Sequence, residues 1–159
     1  MKKHLALTGF MGCGKTTFGK KLSEKTLVPF IDLDKYIEEQ ENKSISEIFE
    51  TEGEEGFRIK ERRYLSEVLY FSQQHIIALG GGTVCYFDNV QLVLRQAWLF
   101  ALLPPVEVLV ERLWNEQHTR PLIKNIEDKT ALKKFIEERL AERMPYYLQA
   151  DCVIREIIT

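Results

Sequence analysis

The stretch Gly9-Phe10-Met11-Gly12-Cys13-Gly14-Lys15-Thr16, with Thr17 after it, constrains this chain more than any other. It fits the phosphate-loop pattern G-x-x-x-x-G-K-[ST], which carries meaning only between a strand and a helix. Both flanks are present: the apolar run Leu5-Ala6-Leu7 precedes it, and Phe18, Leu22 and Lys25 follow at helical spacing. Glycines open backbone conformations closed to residues with a Cβ. The N–H groups so freed can curl round an anion at a helix N-terminus. Gly12, Cys13, Gly14, Lys15, Thr16 and Thr17 are therefore the candidate nucleotide contacts. Lys15 sets a compact charge against the β- and γ-phosphates, and Thr16 offers a hydroxyl to Mg²⁺. The competing reading, a flexible turn with an exposed lysine, is weak. Glycine makes up only about 7% of ordinary sequences, so two at this spacing before Lys-Thr seldom coincide.

Around that loop the apolar runs are short and alternate with helical spacing. Residues 4–8 read as a first strand and 15–25 as a helix. Val28 to Asp32 reads as a short edge strand, and Leu33 to Glu41 as a helix. Ser44-Ile45-Ser46-Glu47 is a capping-box pattern that predicts another helix start. Gly53 and Gly56 are expected to interrupt it, with a longer helix over about 54–72. Ile76-Ile77-Ala78-Leu79 and Ala97 to Leu103 read as strands buried on both faces. Asp88 is a candidate cap for a helix through Arg95; 106–116 and 129–143 are helical, 116–127 is polar and turn-like, and 151–154 is a last strand. Strands alternating with helices predict a parallel sheet covered on both faces. Ligands of such sheets bind at the carboxyl ends of the strands. Four informative segments fall there: the phosphate loop, Asp32 to Asp34, Gly80 to Gly82, and the residues after 103.

The length of 159 residues suits one domain with a real core, and 45% hydrophobic with 29% charged residues is ordinary for a globular chain. The net charge of -2 argues against a nucleic-acid partner. No apolar run reaches the length of a membrane span. Cys13, Cys85 and Cys152 are odd in number and fit neither a zinc site nor a disulfide framework, so a reducing, cytoplasmic setting is expected. No signal segment is expected behind Met1-Lys2-Lys3, because the apolar run there ends at Gly9. Cys13 is a candidate reactive thiol, as the weaker reading, because a helix N-terminus lowers thiol pKa.

A second constellation concerns what receives the phosphate. Of Asp32 and Asp34, one can hold Mg²⁺ through water and the other can orient or deprotonate a hydroxyl. The competing reading makes both helix caps. Arg58, Arg120, Arg139 and Arg143 lie in segments expected near the top of the sheet, where arginine forks can grip carboxylates or phosphates. For Arg139 a solvated surface role is favoured. Phe49 and Phe57 are core residues by default and could wall a small ring.

Taken in order, the phosphate loop, Asp32-Leu33-Asp34, Phe57-Arg58-x-x-Glu61, Gly80-Gly81-Gly82, Arg120-Pro121-Leu122 and Arg143-x-Pro145-x-Tyr147 resemble shikimate kinase over nearly the whole chain. That resemblance implies a single domain over 1–159. It would be a three-layer α/β/α P-loop fold of the nucleoside monophosphate kinase type, with a five-stranded parallel sheet. Substrate-binding helices are expected over about 33–62 and a lid over about 114–127. It implies ATP-dependent phosphorylation of the shikimate 3-hydroxyl, with Mg²⁺, by a monomer. Asp34 would accept from the ring hydroxyls and act as base. Arg58 and Arg143 would grip the carboxylate, with Glu61 orienting Arg58. Gly81, between Gly80 and Gly82, would offer a backbone N–H. Thr16 and Asp32 would hold Mg²⁺, Arg120 would swing in from the lid, and Arg112 is the candidate on the adenine side. Two other readings stay open: a gluconate kinase-like enzyme, and a nucleotide-binding regulatory module without catalysis.

Overall fold

The computed structural model describes residues 1–156. Its strands are β1 (His4–Thr8), β2 (Phe30–Asp32), β3 (Ile76–Ala78), β4 (Ala97–Leu102) and β5 (Cys152–Ile154). Its helices are α1 (Lys15–Thr26), α2 (Leu33–Glu41), α3 (Ile45–Leu69), α4 (Asn89–Gln96), α5 (Val106–Asn115) and α6 (Lys129–Tyr147). Short 3₁₀ turns occupy Thr83–Cys85 and Gln117–Thr119. The strands form one parallel sheet in the order β2-β3-β1-β4-β5. Ala6, Leu7, Ile76, Ile77, Leu99 and Ala101 are buried, as continuous apolar runs in a sheet covered on both faces should be.

The register sets the site. Leu7 pairs with Ala78, and Ala78 with Asp32, so three strands end at one level. β1 has β3 on one side and β4 on the other, although β2 and β3 lie between β1 and β4 in sequence. Such a reversal of strand order opens a crevice at the carboxyl ends. The phosphate loop leaves β1 there and Gly80–Gly82 leave β3 there. Gly19 lets α1 lie close on the sheet, since a Cβ there would sit 2.3 Å from the Phe30 ring.

Three expected boundaries move. The helix over 45–69 is kinked at Gly53 alone (φ 72°), and Gly56 stays helical. α6 runs past Arg143 to Tyr147 with Pro145 inside it. Asp88 makes no side-chain cap on α4; its carboxylate pairs with Arg62 at 2.9 Å. The cap expected at Ser44 is present, its hydroxyl accepting from the Glu47 N–H at 3.1 Å. Among the described residues no helix is long and apolar enough to cross a membrane.

Candidate active site

The loop between β1 and α1 forms one side of a cleft of about 600 Å³. Gly12 (φ 79°) and Gly14 (φ 103°) hold left-handed backbone, which frees the loop to curl. Gly14 is the N-cap of α1, with no side-chain cap and no acid in the first turn. The first N–H groups of α1 therefore keep their affinity for an anion. The Lys15 ammonium donates to the carbonyls of Gly9 and Phe10, which holds it over the loop. Thr16 and Thr17 line the same cleft. Cys13 faces inward and is only 1% exposed. Its burial removes the access a reactive thiol needs, so that reading is corrected.

Across the cleft stand the two acids, in different roles. Asp34 lies past the end of β2, in the first turn of α2. Asp32 is the N-cap, and its Oδ1 accepts from the Lys35 N–H at 3.2 Å. The capping reading thus holds for Asp32, which also lines the cleft, and not for Asp34. Burial raises the Asp34 carboxyl to about 6, with Asp32 and Glu61 adding to the rise and Lys15 and Arg58 opposing it. A carboxylate so placed can accept a proton near neutral pH.

The triple glycine forms the floor, and side chains crowd where its Cβ atoms would be. A Cβ on Gly80 would lie 3.0 Å from Asp34 Oδ1. One on Gly81 would lie 3.1 Å from an Arg143 nitrogen, and one on Gly82 would lie 3.0 Å from Arg58 Nη2. Three segments distant in sequence thus bring Asp34, Arg58 and Arg143 to one short stretch of backbone. Arg58 donates to Glu61 Oε1 at 2.8 Å, and the Tyr86 ring lies 4.1 Å from its guanidinium carbon. Burial works against the Arg58 charge, but Glu61, with Tyr86 and Glu54 adding to it, outweighs that and raises its pKa. Arg58 Nε is buried and has no hydrogen-bond partner. The Arg143 guanidinium sits 5.5 Å from the Phe10 ring. Tyr147, the last residue of α6, donates its hydroxyl to the Gly81 carbonyl.

α5 and the turn after it close the third side. Arg112 donates to the Gly12 carbonyl at 3.1 Å and so reaches the phosphate loop itself. Arg120 lines the cleft and forks onto Glu116 through Nε at 2.9 Å and Nη2 at 2.6 Å. The segment expected to be polar and turn-like is folded: Ile123 is fully buried, and Gln117 donates to the carbonyls of Ile123 and Ile126. Phe49 and Phe57 stack on each other at 4.7 Å; Phe57 is 3% exposed within the core, and Phe49 is partly buried against it. Arg139 stays apart from the cluster, over the Phe135 ring.

Thr83, Tyr86 and Glu116 hold site arginines or their partner, and residue type alone did not single them out. Glu61 offered the one indirect signal: a buried carboxylate has two oxygens to satisfy, and Arg58 takes only one.

Comparison with known proteins agrees with this fold. The family model described as shikimate kinase matches residues 11–157. The shikimate kinase of Bacteroides thetaiotaomicron is 43% identical over 147 residues, covering 92% of this chain and 83% of that protein. The crystal structure of shikimate kinase from the same organism superposes with a TM-score of 0.90 at 40% identity, over 96% of this chain and 86% of that one. Shikimate kinase from Acinetobacter baumannii, solved in complex with shikimate, superposes with a TM-score of 0.87 at 31% identity, over 100% of this chain and 86% of that one.

Proposed function

The chain belongs to the shikimate kinase family, and from that premise we propose how its cleft transfers the γ-phosphoryl group of ATP to the shikimate 3-hydroxyl. One observation carries the assignment of roles: Asp34, Arg143 and Arg58 converge on Gly80, Gly81 and Gly82, facing the loop that holds Lys15. A ring acid needs a cationic grip for its carboxylate and an acceptor for its hydroxyl, on opposite sides. Arg58 and Arg143 supply the grip through charge-assisted hydrogen bonds. Arg58 Nε, which makes no hydrogen bond and lies 3.8 Å from Glu54 Oε1, is a further donor on that guanidinium. Asp34 accepts from the hydroxyl and takes its proton, and Gly81 offers a backbone N–H.

On the nucleotide side, the α1 N-terminus and the loop N–H groups cradle the phosphates, with Arg112 toward the adenine. Lys15 neutralises charge on the β- and γ-phosphates. Phosphoryl transfer depends on in-line positioning and charge neutralisation more than on covalent help. Arg120 leaves Glu116 to reach the transferring group, and the segment over about 114–127 acts as the lid that excludes water. The helices over about 33–62 carry the substrate side, and the single domain works as a monomer.

The donor set fits Mg²⁺. Thr16 and Asp32 both line the cleft and offer it hard oxygens. Among the described residues no group of three or more His, Cys, Asp or Glu could hold a metal alone. Mg²⁺ characteristically binds through one or two carboxylates plus phosphate oxygens and water. Held by Thr16 and Asp32, it would neutralise phosphate charge.

The test is ADP release with ATP and Mg²⁺, with shikimate, gluconate or nucleoside monophosphates as acceptors. Stimulation by shikimate alone is expected. Stimulation by gluconate instead, or ATP binding without turnover on any acceptor, would overturn the proposal.

A further inference from the structure

Behind the site runs a chain of buried polar contacts that the roles above leave unused. Glu61, Thr83 and Asn89 are each at most 1% exposed. Arg62, at the surface end, donates to Asn89 Oδ1 at 3.1 Å and pairs with Asp88 at 2.9 Å. Asn89 Nδ2 donates to the Thr83 carbonyl at 2.8 Å. The Thr83 hydroxyl donates to Glu61 Oε2 at 2.8 Å, and Glu61 Oε1 accepts from Arg58 at 2.8 Å. Each direction is fixed by chemistry. Guanidinium groups only donate, so Asn89 turns its oxygen to Arg62 and its amide nitrogen to Thr83. An ionised carboxylate only accepts, so Thr83 must donate.

We infer that Thr83 is a positioning residue for substrate binding, holding Glu61 in the one rotamer that orients Arg58, with Asn89 fixing Thr83 in turn. The inference rests on Arg58 binding the substrate carboxylate, as proposed above. Glu61 carries a buried charge, tolerable only when both oxygens are paired. Arg58 takes one oxygen and Thr83 the other. A Cβ on Gly80 would lie 3.1 Å from Thr83 Oγ1, 3.3 Å from Glu61 Oε2 and 3.0 Å from Asp34 Oδ1. Without the Thr83 hydroxyl, Glu61 Oε2 is left buried and unpaired beside the Asp34 carboxylate. Glu61 then turns toward another donor, and Arg58 loses its fixed edge.

Thr83→Val keeps the shape and removes the donor. Steady-state kinetics of this variant should show shikimate KM raised roughly 5- to 10-fold, with ATP KM and kcat within about 2-fold of the parent. Thr83→Ser should restore shikimate KM to within about 2-fold, because it returns the donor. In an Arg58→Ala background Thr83→Val should add nothing, since it acts through that residue. An unchanged shikimate KM in Thr83→Val, an equal rise in the Arg58→Ala background, or lowered thermal stability with intact kinetics would overturn the inference. Should the valine variant fail to fold, Thr83→Ala makes the same comparison without the branched methyl. Arg58→Ala alone separates the two claims. If it leaves shikimate KM unchanged, the carboxylate role of Arg58 fails; if it raises KM while Thr83→Val does not, only the positioning inference fails.

Discussion

Asp34→Asn should cost the enzyme its activity and make the protein more stable. Asp34 is raised from 3.8 to about 6, chiefly by burial and then by Asp32 and Glu61. A carboxyl with a raised folded pKa binds its proton more tightly in the folded state, so ionising it works against folding. The penalty is absent below the unfolded value, grows between about 4 and 6, and is complete above the folded value. A shift of that size corresponds to about 3 kcal/mol at pH 8, at 1.36 kcal/mol per pKa unit. Screening at the cleft mouth lowers the expected gain for Asn to about 1–3 kcal/mol. Each kcal/mol moves Tm by about 2–4 °C in a chain of this size. Thermal or denaturant unfolding at pH 8 and pH 4 is the assay. The Asn variant should lead clearly at pH 8, and the gap should shrink to about 0.5 kcal/mol or less at pH 4. An Asn variant less stable than the parent at pH 8, or displaced equally at both pH values, would refute the reasoning.

The same carboxylate sets the acid side of the rate profile: kcat/KM for shikimate should fall with unit slope below pH about 6, and a limb near 4 would remove Asp34 as the base. Arg58→Ala and Arg143→Ala should each raise shikimate KM by roughly 10-fold or more while leaving ATP KM unchanged, because each loses a charge-assisted bond. Lys15→Ala should lower kcat by about 100-fold or more. It should not unfold the domain, since among the described residues the ammonium's hydrogen bonds go to the Gly9 and Phe10 carbonyls; an active variant, by coupled assay, would defeat the phosphate-loop argument.

Much of this was legible in the chain because the strong signals are local. The run Ile76-Ile77-Ala78 can only be a buried strand, and a glycine-rich turn between strand and helix has few other uses. Where the reading slipped, residue type alone could not decide. Gly53 and Gly56 look alike in sequence, yet only Gly53 takes a positive φ; a Cβ there would meet nothing within 4 Å. Pro145 reads as a helix stop, but α6 continues until Tyr147 reaches the Gly81 carbonyl. Asp32 and Asp34 are near-identical by residue type, and the end of β2 between them gives one a cap and the other a cleft. The Thr83 hydroxyl had no signal of its own, because its partner Glu61 lies 22 residues away.

The most direct test of the account is a crystal structure of this protein with shikimate and ADP. The account predicts the shikimate carboxylate on Arg58 and Arg143, the ring over Gly80 to Gly82, and the 3-hydroxyl facing Asp34 on the side of Lys15. A carboxylate bound away from both arginines, or a 3-hydroxyl turned from Asp34, would contradict it.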